Sequence, residues 1–99
     1  MAEHPLHGNP AEQVPDGWDL SEERGGVLRR RFVFNDFEQA FAFMSAMANY
    51  SEDAQHHPEW FNVYNRVDVV LTTHDAGGLT EKDFAWARQA NELFALTKR

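Results

Sequence analysis

The chain has 99 residues, enough for one domain and too few for a second core. Its formal net charge of −7 argues against a nucleic-acid backbone as the main partner, since that contact is built on Lys and Arg. With no cysteine, the chain has no disulfide, no thiolate metal site and no cysteine nucleophile. No apolar run approaches the roughly 20 residues that span a bilayer. The start, Met1 to Leu6, lacks the basic and apolar regions of a secretory signal, so the cytoplasm is the expected compartment and a membrane is not an expected partner.

Residues 1–16 hold Pro5, Pro10 and Pro15 and little apolar periodicity. This predicts a loose arm with one short helix near Ala11 to Val14, ahead of a domain over 17–99. His4 and His7 lie in that arm and are assigned no role. Trp18 and Leu20 alternate with Asp19, a short strand signal, and Glu23-Arg24-Gly25-Gly26 supplies turn chemistry. Leu28, Phe32 and Phe34 then share one face at period two, so the two runs read as a β-hairpin. Arg29, Arg30 and Arg31 alternate faces on that strand and read as solvated positions with an ion pair, not as one basic patch.

Asn35, with Glu38 three positions on, predicts an Asx N-cap of a long helix. Phe37, Phe41, Met44 and Ala48 fall at spacings of four, three and four, a stripe expected to face the core, widened by Phe43, Met47 and Tyr50. Pro58 restricts His57 to extended conformations, so the helix ends near Asp53 and does not pass Gln55. From Trp60 to Thr73 the chain is β-rich, with a turn at Tyr64-Asn65-Arg66 in which Asn takes the left-handed region. Val67, Val69 and Leu71 share one strand face; Asp68, Val70, Thr72 and His74 share the other. Ala76-Gly77-Gly78 breaks the strand. Thr80 and Asp83 cap a last helix that carries Phe84, Ala87, Ala90, Leu93 and Phe94 inward. The expected fold is α+β: a single domain with a four-stranded antiparallel sheet and helices on one face, in the order α-ββ-α-ββ-α.

Three histidines stand out in this frame. His56 and His57 lie in the turn leaving the long helix, and His74 ends a strand on the face away from the aliphatic set. Imidazole, with an unperturbed pKa of about 6.5, gives or takes a proton near neutral pH. Turns anchored on rigid elements are also where sites are commonly built. Three readings compete: polar turn residues, zinc ligands, and acid–base groups acting on a small molecule. Adjacent histidines tend to point apart, and the HExxH spacing is absent, so a metal is not expected.

The segment Glu52-Asp53-Ala54-Gln55-His56-His57-Pro58-Glu59-Trp60-Phe61-Asn62-Val63-Tyr64-Asn65-Arg66-Val67, running on to Leu71-Thr72-Thr73-His74, closely resembles pterin-4a-carbinolamine dehydratases. Gly78 to Asp83 continues the likeness, while Gly17-Trp18 and Phe32 to Met47 fit more loosely. The resemblance implies dehydration of 4a-hydroxytetrahydropterin to quinonoid dihydropterin. That reaction recycles the cofactor of aromatic amino-acid hydroxylases and needs no metal or organic cofactor. It makes His56, His57 and His74 the active-site histidines and Glu52 the acidic residue that orients one of them. Gln55 and the stretch Thr72, Thr73 and Asp75 would contact the pterin. The resemblance also implies a homodimer or homotetramer. An alternative within the family is a protein-binding role as a dimerisation cofactor of a transcription factor.

Overall fold

The computed structural model describes residues 13–97, so His4, His7 and the first part of the expected short helix lie outside the described residues. Six main elements follow in chain order: β1 (Asp19–Ser21), β2 (Val27–Val33), α1 (Phe37–Ala54), β3 (Glu59–Val63), β4 (Arg66–Leu71) and α2 (Glu81–Thr97). The strands form one antiparallel sheet in the order β1-β2-β4-β3. Each half of the chain thus contributes a hairpin, and the two hairpins join through β2 and β4, with Phe32 opposite Val67 and Leu28 opposite Leu71.

Period-two alternation decides which sheet face is covered. Leu28 and Phe32 of β2 and Val67, Val69 and Leu71 of β4 are all buried in one cluster with Ala40, Phe43 and Met47 of α1. Phe84, Trp86, Ala87 and Ala90 of α2 complete it. Both helices therefore lie on the same face, and the opposite face carries Arg29, Arg31, Asp68 and Phe61 toward solvent. Trp86, fully buried, meets Trp18 and Trp60 edge-on at centroid distances of 6.4 and 6.2 Å. Edge-to-face packing of this kind adds to the burial of the rings themselves.

The arginine run divides as its alternation requires. Arg29 pairs with Glu23 and Arg31 with Asp68 on the open face, both at the surface. Arg30 points to the other side, its guanidinium 4.5 Å from the centre of the Phe32 ring and bonded to Asn91 Oδ1 and Asp16 O. Partial burial holds its pKa below the usual arginine value.

Four local expectations are corrected. The cap of α1 is Asp36, not Asn35: Asp36 Oδ1 accepts from Gln39 N at 2.9 Å, and Gln39 Oε1 accepts from Asn35 N at 3.0 Å. The cap thus sits one residue later than Asn35 and Glu38 implied, and the Gln39 side chain reaches back past it to the amide of the preceding residue. In the β3–β4 turn the left-handed residue is Tyr64 (φ 49°), while Asn65 exchanges hydrogen bonds with the backbone of Phe34. The buried face of α1 is Ala40, Phe43, Met47 and Ser51, so Phe37 and Phe41 of the expected stripe stand 45% and 54% exposed and Ala48 is exposed as well. Ser51 belongs inside because its hydroxyl donates to Met47 O and accepts from Trp86 Nε1. Finally, β4 stops at Leu71, and His74 opens a single 3-10 turn, His74–Ala76, instead of ending the strand.

Among the described residues, no helix is long and apolar enough to cross a membrane.

Candidate active site

The C-terminus of α1 aims the paired histidines. Gln55 takes left-handed φ and ψ of 52° and 46°, its N–H bonds Glu52 O, and the N–H of His56 reaches back to Ser51 O at 3.0 Å. This is a Schellman ending, with glutamine where glycine is usual. It stops the helix within one residue and turns His56 back beneath it, toward α2. Pro58 then keeps His57 out of helical conformation and leads into β3.

His56 is 8% exposed, and its Nε2 lies 2.5 Å from Oδ1 of Asp83. Asp83 is fully buried. Its other oxygen accepts from Thr73 Oγ1 at 2.6 Å and from Thr80 N at 3.0 Å. Because the Thr73 hydroxyl proton is spent on Asp83, the 2.9 Å contact between the two threonine hydroxyls must be donated by Thr80. The carboxylate therefore has three donors, from the α1 turn, the post-β4 loop and the start of α2. A buried carboxylate without such donors would be costly.

His57 points the other way, as adjacent residues in an extended segment do. Its Nε2 is 2.5 Å from Glu52 Oε2 on the last turn of α1, and both side chains are largely exposed. His74 is exposed at the head of its 3-10 turn. A backbone bridge between Thr73 and Gly78 closes that loop at its base, with bonds of 2.9 and 3.3 Å.

The site residues read from the sequence thus fall into two linked groups. Glu52 and His57 form one pair. His56 and Thr73 share Asp83, which carries His74, the residue after Thr73, to the same end of the sheet. Gln55 and Asp75 are exposed beside these groups. Thr72 and Thr73 have already committed their hydroxyl protons, to Gly26 O at 2.8 Å and to Asp83. Asp83 is the residue that sequence reasoning valued only as a helix cap. The signal was present in Thr80-x-x-Asp83, but one carboxylate serving both cap and imidazole is visible only in three dimensions. Among the described residues, no three His, Asp or Glu side chains converge as metal ligands would.

This arrangement offers one imidazole held rigidly by a buried carboxylate, one held by an exposed carboxylate, and one on a short closed loop. It suits proton transfer to and from a bound small molecule.

Comparison with known proteins agrees with this reading of the fold. The model of the family described as pterin 4 alpha carbinolamine dehydratase matches residues 4–93. A protein of Rhizorhabdus wittichii named "Putative pterin-4-alpha-carbinolamine dehydratase" is 51% identical over 82 residues, covering 83% of this chain and 82% of its own length. One of the same name from Chelativorans sp. is 54% identical over 80 residues, 81% of each chain. The crystal structure of a transcriptional coactivator/pterin dehydratase from Brucella melitensis superposes with a TM-score of 0.81 at 45% identity, covering 91% of this chain and 98% of the other. A pterin dehydratase-like protein identified as a RuBisCO assembly factor in the alpha-carboxysome gives a TM-score of 0.68 at 25% identity, covering 79% and 89%. With a family model spanning nearly the whole chain and relatives at about half identity, this chain belongs to the pterin-4-alpha-carbinolamine dehydratase family.

Proposed function

We propose that the protein removes water from a 4a-hydroxytetrahydropterin by histidine acid–base catalysis. The C4a–O bond breaks as one imidazole protonates the departing hydroxyl. A second group accepts the proton from N5, and the electron pair of that N–H bond becomes the C4a=N5 double bond of the quinonoid dihydropterin. One proton is given and one is taken, so the net proton count of the protein is unchanged, and exchange with solvent returns the two groups to their starting protonation for the next turnover.

The observation that carries this reading is the Asp83 carboxylate shared by His56 and Thr73. It fixes the ring plane of His56, commits Nε2, and leaves Nδ1 as the nitrogen for a substrate. In our assignment His56 and His74 exchange protons with the pterin, while His57, held by Glu52, binds and orients it. Gln55, Asp75 and the backbone of Thr72 and Thr73 line the ligand. Positioned groups of this kind typically contribute about 10²–10⁴-fold. The test is stopped-flow ultraviolet decay of a freshly generated 4a-hydroxytetrahydropterin. Decay no faster with the protein than in buffer would end the proposal, and unchanged rates in His56→Ala or His74→Ala would end the assignment.

The same reading makes the protein a cytoplasmic partner in function of an aromatic amino-acid hydroxylase, working as a homodimer or homotetramer. Its outer strands β1 and β3 support self-association, since Leu20, Phe61 and Val63 on them are 40%, 62% and 44% exposed. A second reading, a protein-binding role, is favoured by the solvent-facing Phe37 and Phe41, whose rings pack 5.6 Å apart near the start of α1. Retention of a partner by histidine variants without dehydratase activity would separate the two roles.

A further inference from the structure

The turn between β1 and β2 touches both histidine-bearing segments. Thr72 Oγ1 donates to Gly26 O at 2.8 Å, which ties it to the chain just before His74. Gly25 and Gly78 approach so closely that a Cβ on Gly78 would fall 2.4 Å from Gly25 O, and one on Gly25 would fall 1.9 Å from Gly77 O. On the other side, Arg24 Nη1 and Nη2 donate to the two oxygens of Glu59 at 2.8 and 3.2 Å. Glu59 is the first residue of β3, two positions after His57, with the rigid Pro58 between. Arg24 makes this fork from a left-handed backbone, φ 51° and ψ 31°. Of the three non-glycine residues with positive φ among the described residues, Arg24 and Gln55 are both at this end of the sheet and only Tyr64 is elsewhere. Left-handed backbone outside glycine is uncommon and persists where its surroundings hold it.

We propose that Arg24 is a positioning residue for the dehydration: by gripping Glu59 while its neighbours Gly25 and Gly26 hold the 72–78 loop, it fixes the His56-His57 turn relative to His74. The role rests on the proposed dehydratase reading. Pairing between β3 and β4 begins only at Glu59, opposite Val70, so residues 56–58 and 72–78 all lie beyond the ladder. The last rung of an edge strand is where a sheet opens first. A planar guanidinium bonding both carboxylate oxygens fixes direction as well as distance, which an ammonium on lysine does not.

The experiment compares Arg24→Gly, Arg24→Lys, Glu59→Gln and the double variant Arg24→Gly/Glu59→Gln. Glycine accepts the left-handed backbone, so it removes the fork without forcing the turn to rearrange. Steady-state rates should show kcat about three- to tenfold lower in Arg24→Gly and Glu59→Gln, with KM changed to the same smaller extent in both and the double variant no worse than either single one. Arg24→Lys should recover only part of the loss. Melting temperatures should stay near wild type, because an exposed ion pair adds little to global stability. Long-range ¹H–¹⁵N spectra of the imidazoles provide a readout independent of turnover, and the His57 and His74 signals should move together in both single variants. An unchanged kcat, additive losses, or a raised KM in Arg24→Gly alone would overturn the proposal. Wild-type protein that does not accelerate dehydration defeats the dehydratase reading instead, and the imidazole spectra then decide whether Arg24 positions the two segments.

Discussion

Nε2 of His56 and Oδ1 of Asp83 stand 2.5 Å apart across 27 positions of sequence. One residue leaves the end of α1 and the other belongs to the first turn of α2, so the contact joins the two helices where the histidine turn begins. Asp83 also caps α2 by accepting from Thr80 N. Removing its carboxylate therefore acts twice. Asp83→Ala orphans the Thr73 hydroxyl, the Thr80 amide and one nitrogen of His56, and should cost about 2–4 kcal/mol in urea unfolding. Asp83→Asn keeps the shape and one acceptor oxygen. It should fold with a smaller loss yet reduce the dehydration rate about 10²-fold or more, because the amide no longer holds the imidazole through an acceptor at both positions. Equal loss of stability and rate in the two variants would assign Asp83 a purely structural role.

The three histidines should separate in the same two measurements. His57 and His74 are exposed, so alanine at either should change stability by no more than about 0.5 kcal/mol. His56→Ala leaves a buried carboxylate short of a donor and should cost about 1–3 kcal/mol. On rate, His56→Ala and His74→Ala should each lose about 10²–10⁴-fold in kcat. His57→Ala should mainly raise KM. A variant that loses rate without losing stability, His74→Ala above all, is the cleanest probe of chemistry.

These contrasts mark what sequence could and could not reveal. The ββαββα order was legible because alternation in Val67-Asp68-Val69-Val70-Leu71 and helical spacing in α2 are local signals. Glu52, His56, His57 and His74 were singled out by turn chemistry and family likeness, and the roles proposed for them rest on that reading. Asp83 as partner of His56 was not, because no local rule joins positions in two different helices. The phase of α1 was misread for a related reason. Phe37 and Phe41 outweigh Ala40 and Ser51 on any scale of side-chain hydrophobicity, but Ser51 is satisfied by Trp86 Nε1, 35 positions away. Strand parity failed at His74 because the chain leaves β4 at Leu71 and turns before the histidine.

Gln55 holds a left-handed conformation that glycine adopts without strain. Gln55→Gly should keep the Schellman ending of α1 and raise stability by up to about 1 kcal/mol, once the greater freedom of glycine in the unfolded chain is allowed for. If the glutamine side chain also contacts the pterin, the same substitution raises KM. Thermal unfolding and steady-state kinetics on one preparation test both parts. A stability gain with unchanged KM would remove Gln55 from the ligand contacts.

Acid should loosen the Arg24–Glu59 fork in a defined direction. The hydrogen bonds from Arg24 hold the Glu59 carboxyl below the usual carboxylate range, and Glu59 in turn raises Arg24. A depressed folded-state pKa means that the stabilisation is fully present above the ordinary Glu value of about 4.3 and is lost as pH falls through the lower folded value. The difference in melting temperature between wild type and Glu59→Gln, small as for any exposed pair, should therefore be largest near about pH 6 and vanish toward about pH 3. Divergence on acidification would show that the pair does not stabilise the fold. The effect should shrink in high salt, as for other exposed pairs.

The first turns of α1 permit a sharp test of which aromatic rings build the core. Phe43 is 1% exposed and packs 4.8 Å from Phe32 and 5.1 Å from Phe34, centre to centre. Phe43→Ala should cost about 3–5 kcal/mol, the range for emptying an aromatic site in a core. Phe37 and Phe41 meet each other but stand about half exposed. Phe37→Ser/Phe41→Ser should therefore leave the folded monomer within roughly 1 kcal/mol of wild type, since little apolar area returns to water. A larger effect points either to association or to a core role for the two rings. Sedimentation velocity over a range of protein concentrations separates the cases: a smaller assembly in the double serine variant would place these rings at an interface between copies. An unchanged assembly with retained dehydratase activity would leave the pair free for a different protein partner. A loss of stability as large as that of Phe43→Ala, with no change in assembly, would show that the two rings belong to the core after all.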